Sequence, residues 1–311
     1  LRERIAELYK SRYGLSIKSN RVIITSGSSG AFSLCFTGFF DPGDQVIIGD
    51  PSYPSYRNIL KSLNLVPIQK PTKFEDGFRL TPEIIANTSA QGLLIASPAN
   101  PTGSVLDRAD LEKLIQHSKS KNMIVISDEI YHGINYNQRP VSALEIDDEV
   151  IVINSFSKYY SMTGWRIGWM VIPEKNIKTI ENLAQNLFIC PPHAGQVLGL
   201  SALKCSEELD QRVEEFKKNR DFLIKRLPSI GFSEIPFPDG AFYIYCSIKN
   251  FNIDSKVFCS ELLYKTGVAI TPGYDFDDLR GHQTVRFSYA CSFEALLEAW
   301  DKLRWFCSSL K

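Results

Sequence analysis

The sequence lacks the features that would place the protein in several large functional classes. Its 35 basic and 35 acidic side chains cancel, so no net charge attracts it to nucleic acid or to an anionic membrane. No apolar run is long enough to cross a bilayer, and the start has no signal-peptide pattern. The seven cysteines include no C-x-x-C pair, which argues against a metal site and predicts reduced thiols in the cytoplasm.

Two groups of catalytic motifs are also missing. There is no G-x-S-x-G elbow, which counts against a serine hydrolase. There is neither a G-x-G-x-x-G spacing nor a Walker lysine, so a nucleotide-binding loop is the weaker alternative. The four histidines, at positions 117, 132, 193 and 282, are interpreted as surface or loop residues. What remains is a chain of 311 residues with 44% apolar content, enough for one large domain or two smaller ones.

The segment NSFSKYYSMTGWRIGW, residues 154–169, is the most informative stretch. It lies between two apolar runs that predict buried parallel strands, and open α/β sheets place their chemistry at strand ends. The hydroxyls of Ser155 and Ser157 and the guanidinium of Arg166 suit a phosphate. The amine of Lys158 beside such a site suits an imine with a phosphorylated aldehyde. From this stretch alone, a basic loop with a solvated lysine stays open as the alternative.

The tetrapeptide SFSK at 155–158, followed by GWRIG at 164–168, resembles the cofactor-lysine motif of one enzyme family. That family is the fold-type I aminotransferases of class I/II, which use pyridoxal phosphate. The resemblance extends along nearly the whole chain.

The order of patterns along the chain predicts the architecture. Short apolar runs alternate with helical patterns before the lysine segment, which predicts parallel strands joined by right-handed crossovers. A long charged pattern at about 207–227 predicts a linking helix. The remainder combines strand and helix patterns, which predicts an α+β unit. We therefore expect a mainly parallel α/β sheet sandwiched by helices in a large domain, 1–204, and a smaller C-terminal α+β domain, 205–311.

A glycine–serine turn precedes a predicted apolar helix that starts at Phe32. A helix N-terminus presents free amides and a partial positive charge, so this is an anion-binding arrangement, although an isolated turn of this kind favours a simple serine cap. The family holds its cofactor phosphate in this turn. The resemblance therefore implies that Gly27, Ser28 and Ser29 bind the phosphate, together with the two serines and the arginine of the lysine segment.

Further residues are assigned to the cofactor ring by resemblance. Tyr53 would stack on the ring, and Asn100 and Tyr131 would contact its phenolic oxygen. Asp128 ends an apolar strand, where a carboxylate needs a partner, and a protonated pyridine nitrogen would be one. From the residues alone, a packed tyrosine, a plain turn, and a helix cap or salt bridge for Asp128 stay open, and a structural role is preferred for Glu129.

Arg286 lies inside the apolar run VRFSYA, where an unpaired charge is costly. A bidentate clamp on an α-carboxylate would explain it, and the family places its substrate-carboxylate arginine here. An internal salt bridge is the alternative. Asn100 is assigned to the substrate site as well.

The same resemblance implies the reaction. An aminotransferase moves an amino group between an L-amino acid and a 2-oxo acid such as 2-oxoglutarate. Lys158 would hold the cofactor and then act as the base that moves the α-proton, because burial and nearby cations lower the pKa of its amine. Asp128 would keep the ring nitrogen cationic, and Tyr131 would complete the catalytic set.

The amino donor is less clearly encoded. No arginine occurs between Arg166 and Arg212, where aspartate aminotransferases place a contact to the side-chain carboxylate. Other aspartate enzymes have a lysine where this chain has Ser29. Both departures favour a neutral or aromatic donor, with aspartate still possible.

Two other functions share these residues. A C–S β-lyase or related elimination enzyme would use the same lysine and ring contacts. A catalytically inactive regulatory domain would bind the cofactor without turnover, but an intact Lys158 and Asp128 argue for chemistry. Similar enzymes are homodimers and carry a segment before the position of Leu1, so we expect this chain to be part of a longer protein.

Overall fold

Seven strands form the main sheet of the computed structural model, which describes residues 1–310. In chain order they are β1 (Val22–Thr25), β2 (Gln45–Asp50), β3 (Val66–Pro71), β4 (Gly92–Ala96), β5 (Ile124–Asp128), β6 (Ile151–Ser155) and β7 (Gly168–Val171). Their order across the sheet is β1-β7-β6-β5-β4-β2-β3, and all neighbours from β3 to β6 pair in parallel. β7 pairs antiparallel with both β6 and β1. The second apolar run beside the lysine segment is therefore not the parallel strand expected.

Ten α-helices are formed by the described residues. They are α1 (Arg2–Tyr13), α2 (Gly27–Phe39), α3 (Pro54–Ser62), α4 (Pro82–Ile85), α5 (Arg108–Ser120), α6 (Ile177–Phe188), α7 (His193–Ala202), α8 (Ser206–Arg226), α9 (Ser255–Thr266) and α10 (Phe293–Ser309). α2 begins at Gly27 rather than near Phe32, so the glycine–serine turn is the first turn of the helix itself. Neither α3 nor α10 was predicted from the sequence.

Both faces of the main sheet are covered. Ile47 of β2 belongs to one apolar cluster, while its neighbours Val46 and Ile48 belong to another. Successive side chains of a strand point to opposite faces, so two clusters on one strand mean two buried faces. This explains why the strands are nearly continuous apolar runs rather than alternating ones.

A smaller antiparallel sheet follows in the chain. It contains β8 (Tyr243–Ser247), β9 (Thr271–Pro272) and β10 (Thr284–Ser288), in the order β8-β10-β9. β9 is only two residues long. The predicted fold class, a mainly parallel α/β sheet between helices with a smaller α+β part, is confirmed. α8 occupies the place of the expected linking helix, and the domain boundary at 204/205 stays a prediction.

Membrane insertion through a helix has no support in residues 1–310, because none of their helices combines sufficient length with sufficient apolar character.

Candidate active site

One cavity brings most of the predicted site residues together. It has a volume of about 310 Å³ and lies between the carboxyl ends of β4, β5 and β6 and the strands β8 and β10. Its lining residues are Ser28, Ser29, Tyr53, Tyr56, Asn100, Asp128, Ile130, Tyr131, Ser157, Lys158, Thr163, Arg166, Tyr243 and Arg286. Of the predicted residues, Gly27 and Ser155 are not part of this lining.

A larger cavity of about 460 Å³ lies at the other end of β5 and β6. It contains none of the predicted residues, and its charged groups already pair with one another, Lys119 with Asp147 and Lys175 with Glu149. The smaller cavity is the better candidate because several polar groups converge on it without neutralising each other.

The first turn of α2 forms the anion-binding part of the cavity. Gly27 has a φ of +70°, and Ser26 provides no side-chain cap, so the first N–H groups of the helix are available to a ligand. Arg166 lies against this turn so closely that a Cβ added at Gly27 would clash with Arg166 Nη2. Ser28 and Ser29 add hydroxyls. This combination of amides, hydroxyls and a guanidinium suits a phosphate.

Ser157 lines the cavity, whereas Ser155 lies behind it. Ser155 is almost fully buried, and its hydroxyl is 3.0 Å from the carbonyl oxygen of Ile167 and 2.9 Å from the Ser157 hydroxyl. The amide of Ser157 donates to Ser155 Oγ at 3.0 Å. Ser155 therefore orients Ser157 rather than facing the cavity itself, which departs from the direct phosphate contact expected.

Asp128, the last residue of β5, is only 4% exposed. Its carboxylate accepts hydrogen bonds from the Tyr56 hydroxyl and, at 3.1 Å, from the amide of Ile130. Burial raises the pKa of Asp128 to about 6, while these hydrogen bonds and the nearby Lys158 oppose the rise. The group is therefore mostly ionised at neutral pH. It forms no salt bridge with any side chain in the described chain, so its charge can stabilise a cation in the cavity.

Lys158 follows β6 and lies near three other charged residues of the cavity, Asp128, Arg166 and Arg286. Burial lowers the pKa of its amine, the positive charges of Arg286 and Arg166 lower it further, and Asp128 opposes them. Its Nζ is 5.7 Å from the centroid of the Tyr131 ring. A lowered pKa increases the fraction of the amine that is neutral near neutral pH, and the neutral amine is the form that acts as nucleophile or base.

Arg286 projects from β10 of the small sheet. Its Nη1 donates to Asn100 Oδ1 at 2.9 Å, and its Nη2 donates to Thr271 Oγ1 at 3.3 Å. The guanidinium carbon is 4.4 Å from the Tyr243 ring centroid and 4.6 Å from that of Phe276. No carboxylate within residues 1–310 forms a salt bridge with it, and its buried Nε has no hydrogen-bond partner there. The internal salt bridge considered from the sequence is thus absent, and the guanidinium is available to an anion.

Two tyrosines complete the predicted set. Tyr53 is half-buried, and its ring packs edge-on against that of Tyr56 at 5.4 Å between centroids. Tyr131 is buried, and its hydroxyl is 2.9 Å from the hydroxyl of Tyr243.

Sequence reasoning missed four lining residues, Tyr56, Ile130, Thr163 and Tyr243. Tyr56 lies three positions after Tyr53, on the first turn of the unpredicted helix α3, so recognising that helix would have brought both rings to one face. Tyr243 gives no such signal, because its pairing with Tyr131 is a long-range contact between β8 and the turn that follows β5.

The prediction that the histidines are surface or loop residues holds only in part for His132, because His132 lies in the turn after β5 but is buried. His132 is 2% exposed, and its Nε2 is 3.0 Å from the carbonyl oxygen of Ser97 while its Nδ1 is 2.7 Å from the Tyr13 hydroxyl. Burial lowers the pKa of His132 to about 3. Glu129, also buried, accepts a hydrogen bond from the amide of Ala143 at 2.8 Å, in keeping with the structural role preferred for it.

The cavity fits pyridoxal phosphate on three counts. The uncapped first turn of α2, with a glycine that allows the close approach of Arg166, matches a phosphate. The buried carboxylate of Asp128 matches a protonated ring nitrogen. The amine of Lys158 lies near both, as a carbonyl cofactor requires.

Comparison with known proteins gives the same result. The family model for aminotransferase class I and II matches residues 1–303. The valine–pyruvate aminotransferase of Mycobacterium tuberculosis is 40% identical over 296 residues, 93% of this chain and 76% of the relative. The aspartate aminotransferase of Sulfurisphaera tokodaii is 36% identical over 322 residues, 100% of this chain and 80% of the relative.

Solved structures extend the likeness to the coordinates. A crystal structure of a presumed aminotransferase from Silicibacter pomeroyi superposes with a TM-score of 0.97 at 51% identity, covering 99% of this chain and 83% of that one. The chain therefore belongs to the class I and II aminotransferases, enzymes that use pyridoxal phosphate.

Proposed function

We propose that this aminotransferase takes its amino group from a neutral or aromatic L-amino acid and passes it to a 2-oxo acid such as 2-oxoglutarate. The observation that carries the proposal is that the Lys158 amine lines the same cavity as the buried Asp128 and as Arg286, which has no salt bridge within the described residues. An amine, an anion and a carboxylate clamp in one cavity are what amino-group transfer through a carbonyl cofactor needs.

Pyridoxal phosphate, when bound, supplies an aldehyde carbon that links to a primary amine and a ring that withdraws electrons from the substrate's α-carbon. The chain's own residues hold it. Arg166, Ser157 and the first turn of α2 would bind the phosphate, and Tyr53 would lie against the ring. Tyr131 and Asn100 would contact the ring oxygen.

Asp128 would fix the charge of the ring. Because its carboxylate is buried and ionised at neutral pH, it stabilises a proton on the ring nitrogen. The hydroxyl of Tyr56 holds the carboxylate in place.

Lys158 would move the reacting proton. With the substrate bound, Nζ of Lys158 would accept the proton from the substrate's α-carbon and would then donate it to the cofactor's aldehyde carbon. Burial and the positive charge of Arg286 keep the pKa of this amine low, which favours the neutral base. Arg286 would meanwhile bind the α-carboxylate, and its bond to Asn100 fixes the direction of the guanidinium.

The preference for a neutral or aromatic donor rests on the cations in the cavity lining, which are Lys158, Arg166 and Arg286. Each of them already has a role, so no further lining cation is available for a side-chain carboxylate. A named relative acts on valine and pyruvate, which agrees with this preference, whereas another is an aspartate aminotransferase.

We also propose a homodimer, as expected from the resemblance. The cytoplasmic location predicted from the sequence stays a prediction, as does a role in amino acid metabolism.

The decisive experiment is reduction of the cofactor-loaded protein with borohydride, followed by peptide mapping. We expect the pyridoxyl label on Lys158 and no turnover by Lys158→Ala. A label on another residue, or wild-type activity in that variant, would reject the assignment. A panel of amino donors, read out as 2-oxo acid against ammonia release, separates transfer from elimination. Release of ammonia and pyruvate would favour the β-lyase alternative.

A further inference from the structure

Tyr243 is a lining residue of the cavity to which neither the sequence nor the proposed reaction assigns a role. It is 5% exposed and belongs to β8, two positions before Tyr245, which pairs with Arg286 of β10. Its side chain makes two different contacts. The hydroxyl is 2.9 Å from the Tyr131 hydroxyl, and the ring lies 4.4 Å from the guanidinium carbon of Arg286.

The first contact lies between the hydroxyls of Tyr243 and Tyr131, and either of them can be the hydrogen-bond donor. The Tyr131 hydroxyl can donate only one proton, so when Tyr131 donates to a ligand, its oxygen is free to accept from Tyr243. A hydroxyl that accepts a hydrogen bond becomes a stronger donor, because hydrogen bonds in a chain polarise one another. Burial raises the pKa of both phenols, so both keep their protons at neutral pH.

The ring contact supports a cation without neutralising it. The face of an aromatic ring attracts a guanidinium, yet it leaves the N–H donors free, which a carboxylate partner would not. Arg286 has a second ring, Phe276, at 4.6 Å and no salt bridge within the described residues. The Tyr243 ring thus contacts the guanidinium without occupying its N–H donors.

We propose that Tyr243 is a positioning residue with two separable roles: its hydroxyl strengthens the hydrogen bond that Tyr131 donates to the cofactor's ring oxygen, and its ring holds Arg286 for the substrate's α-carboxylate. The first role rests on the function proposed above for Tyr131. The second depends only on Arg286 as the carboxylate clamp.

Two substitutions at Tyr243 separate the roles. Tyr243→Phe removes the hydroxyl and keeps the ring, and Tyr243→Leu removes both. The first readout is the pH midpoint of the bound cofactor's absorbance change, which is independent of turnover. The second is the KM for the amino donor. Tyr131→Phe removes the hydroxyl that would donate to the cofactor's ring oxygen, so its midpoint shift is the largest that a weaker donor at this position can cause.

Tyr289→Phe is the matched control. Tyr289 is another buried tyrosine, its hydroxyl lies 3.2 Å from that of Tyr136, and neither residue lines the cavity. Its substitution removes the same atom from a similar phenol pair, so it reports the general effect of losing a buried hydroxyl. We expect it to leave the midpoint and the KM unchanged.

For Tyr243→Phe we expect the midpoint to rise on the order of half a pH unit, because a weaker donor stabilises the ionised ring oxygen less. Its KM should stay within about twofold of the wild-type value, whereas Tyr243→Leu should raise KM roughly tenfold. If Tyr131→Phe moves the midpoint and Tyr243→Phe does not, the hydroxyl role is refuted. If Tyr131→Phe moves nothing, the function proposed for Tyr131 fails and the hydroxyl role with it. Equal KM values in the two Tyr243 variants would refute the ring role.

Discussion

Asp128 and Arg286 are two charged residues that line the same cavity, and they are held in different ways. Asp128 ends a strand of the large sheet, is nearly inaccessible and accepts hydrogen bonds from Tyr56 and Ile130. Arg286 projects from the small sheet, is partly exposed and has one buried nitrogen without a partner in the described part of the chain. The carboxylate is fixed by hydrogen bonds, whereas the guanidinium, besides its hydrogen bonds to Asn100 and Thr271, packs against two aromatic rings.

This difference between Asp128 and Arg286 matches how long the molecule that each of them would bind stays in the cavity. A cofactor remains through many turnovers, so the group that binds its ring nitrogen can be buried and rigid. A substrate enters and leaves at every turnover, so the group that binds its carboxylate must remain accessible with free donors. Burial has a cost for Asp128, which is visible in the rise of its pKa to about 6.

Of the substitutions that test this contrast, Asp128→Asn should have the largest effect on activity. The amide keeps the size of the side chain but removes the charge that stabilises the ring nitrogen's proton. We expect kcat to fall on the order of 10²–10³-fold, the range seen when one preorganised electrostatic contact is lost. Steady-state kinetics measures it, and a kcat close to that of the wild type would exclude Asp128 as the partner of the ring.

Arg286→Gln should have a smaller effect of another kind. It removes the charged donors that bind the α-carboxylate, and because Arg286 is partly exposed we expect the low end of the cost of truncating such a group, about 2 kcal/mol or roughly 30-fold. We expect the loss mainly in KM, with cofactor affinity unchanged. If kcat falls and KM does not, Arg286 acts on the reaction rather than on substrate binding.

The sequence predicted this contrast in part. The ends of apolar strands located Asp128 and the lysine segment, because parallel strands bring their carboxyl ends to one edge. A charge inside an apolar run identified Arg286 as exceptional. The resemblance then supplied the roles, which the patterns alone had left open between a site and a salt bridge or a turn.

What the sequence did not predict depends on long-range contacts. The pairing of Tyr131 with Tyr243 spans 112 positions, and that of Tyr56 with Asp128 spans 72. The burial of His132 follows from its contacts with Ser97 and Tyr13 in other parts of the chain. No local spacing encodes such contacts, since they arise only when separate elements pack together.

Tyr56→Phe tests how the buried carboxylate is kept ionised. The hydroxyl of Tyr56 lowers the pKa of Asp128, so its removal should raise that pKa above the present value of about 6. The acidic limb of kcat/KM should then move to higher pH by roughly one unit.

Tyr159→Phe is the control for that experiment. Tyr159 donates its hydroxyl to Asp210 at 2.6 Å, so the substitution breaks the same kind of contact next to Lys158 in sequence, outside the cavity. An equal shift of the acidic limb in both variants would show that Tyr56 does not act through Asp128.

The smallest effect on activity is expected at Glu129, the neighbour of Asp128 that does not line the cavity. Burial raises the pKa of Glu129 to about 8, while hydrogen bonds from Ala143, Ser142 and Ser127 oppose the rise. The folded protein thus retains a proton that the unfolded chain releases above its ordinary pKa of 4.5. Its contribution to stability must fall as pH rises from 4.5 towards 8, because the unfolded state binds fewer protons than the folded state throughout that window.

Glu129→Gln removes this titration and keeps the shape of the side chain. Between pH 5 and pH 8 the wild type should lose about 1.4 kcal/mol of unfolding free energy per pH unit relative to the variant. Urea unfolding at several pH values measures the difference, and Glu261→Gln, in the surface pair with Lys265, should keep the wild-type slope. His132 should contribute equally to both proteins, because its pKa of about 3 keeps it neutral in the folded state across this range. Parallel stability curves for the wild type and Glu129→Gln would mean that the buried carboxyl is ionised in the folded protein, and that burial beside Asp128 does not by itself exclude a charge.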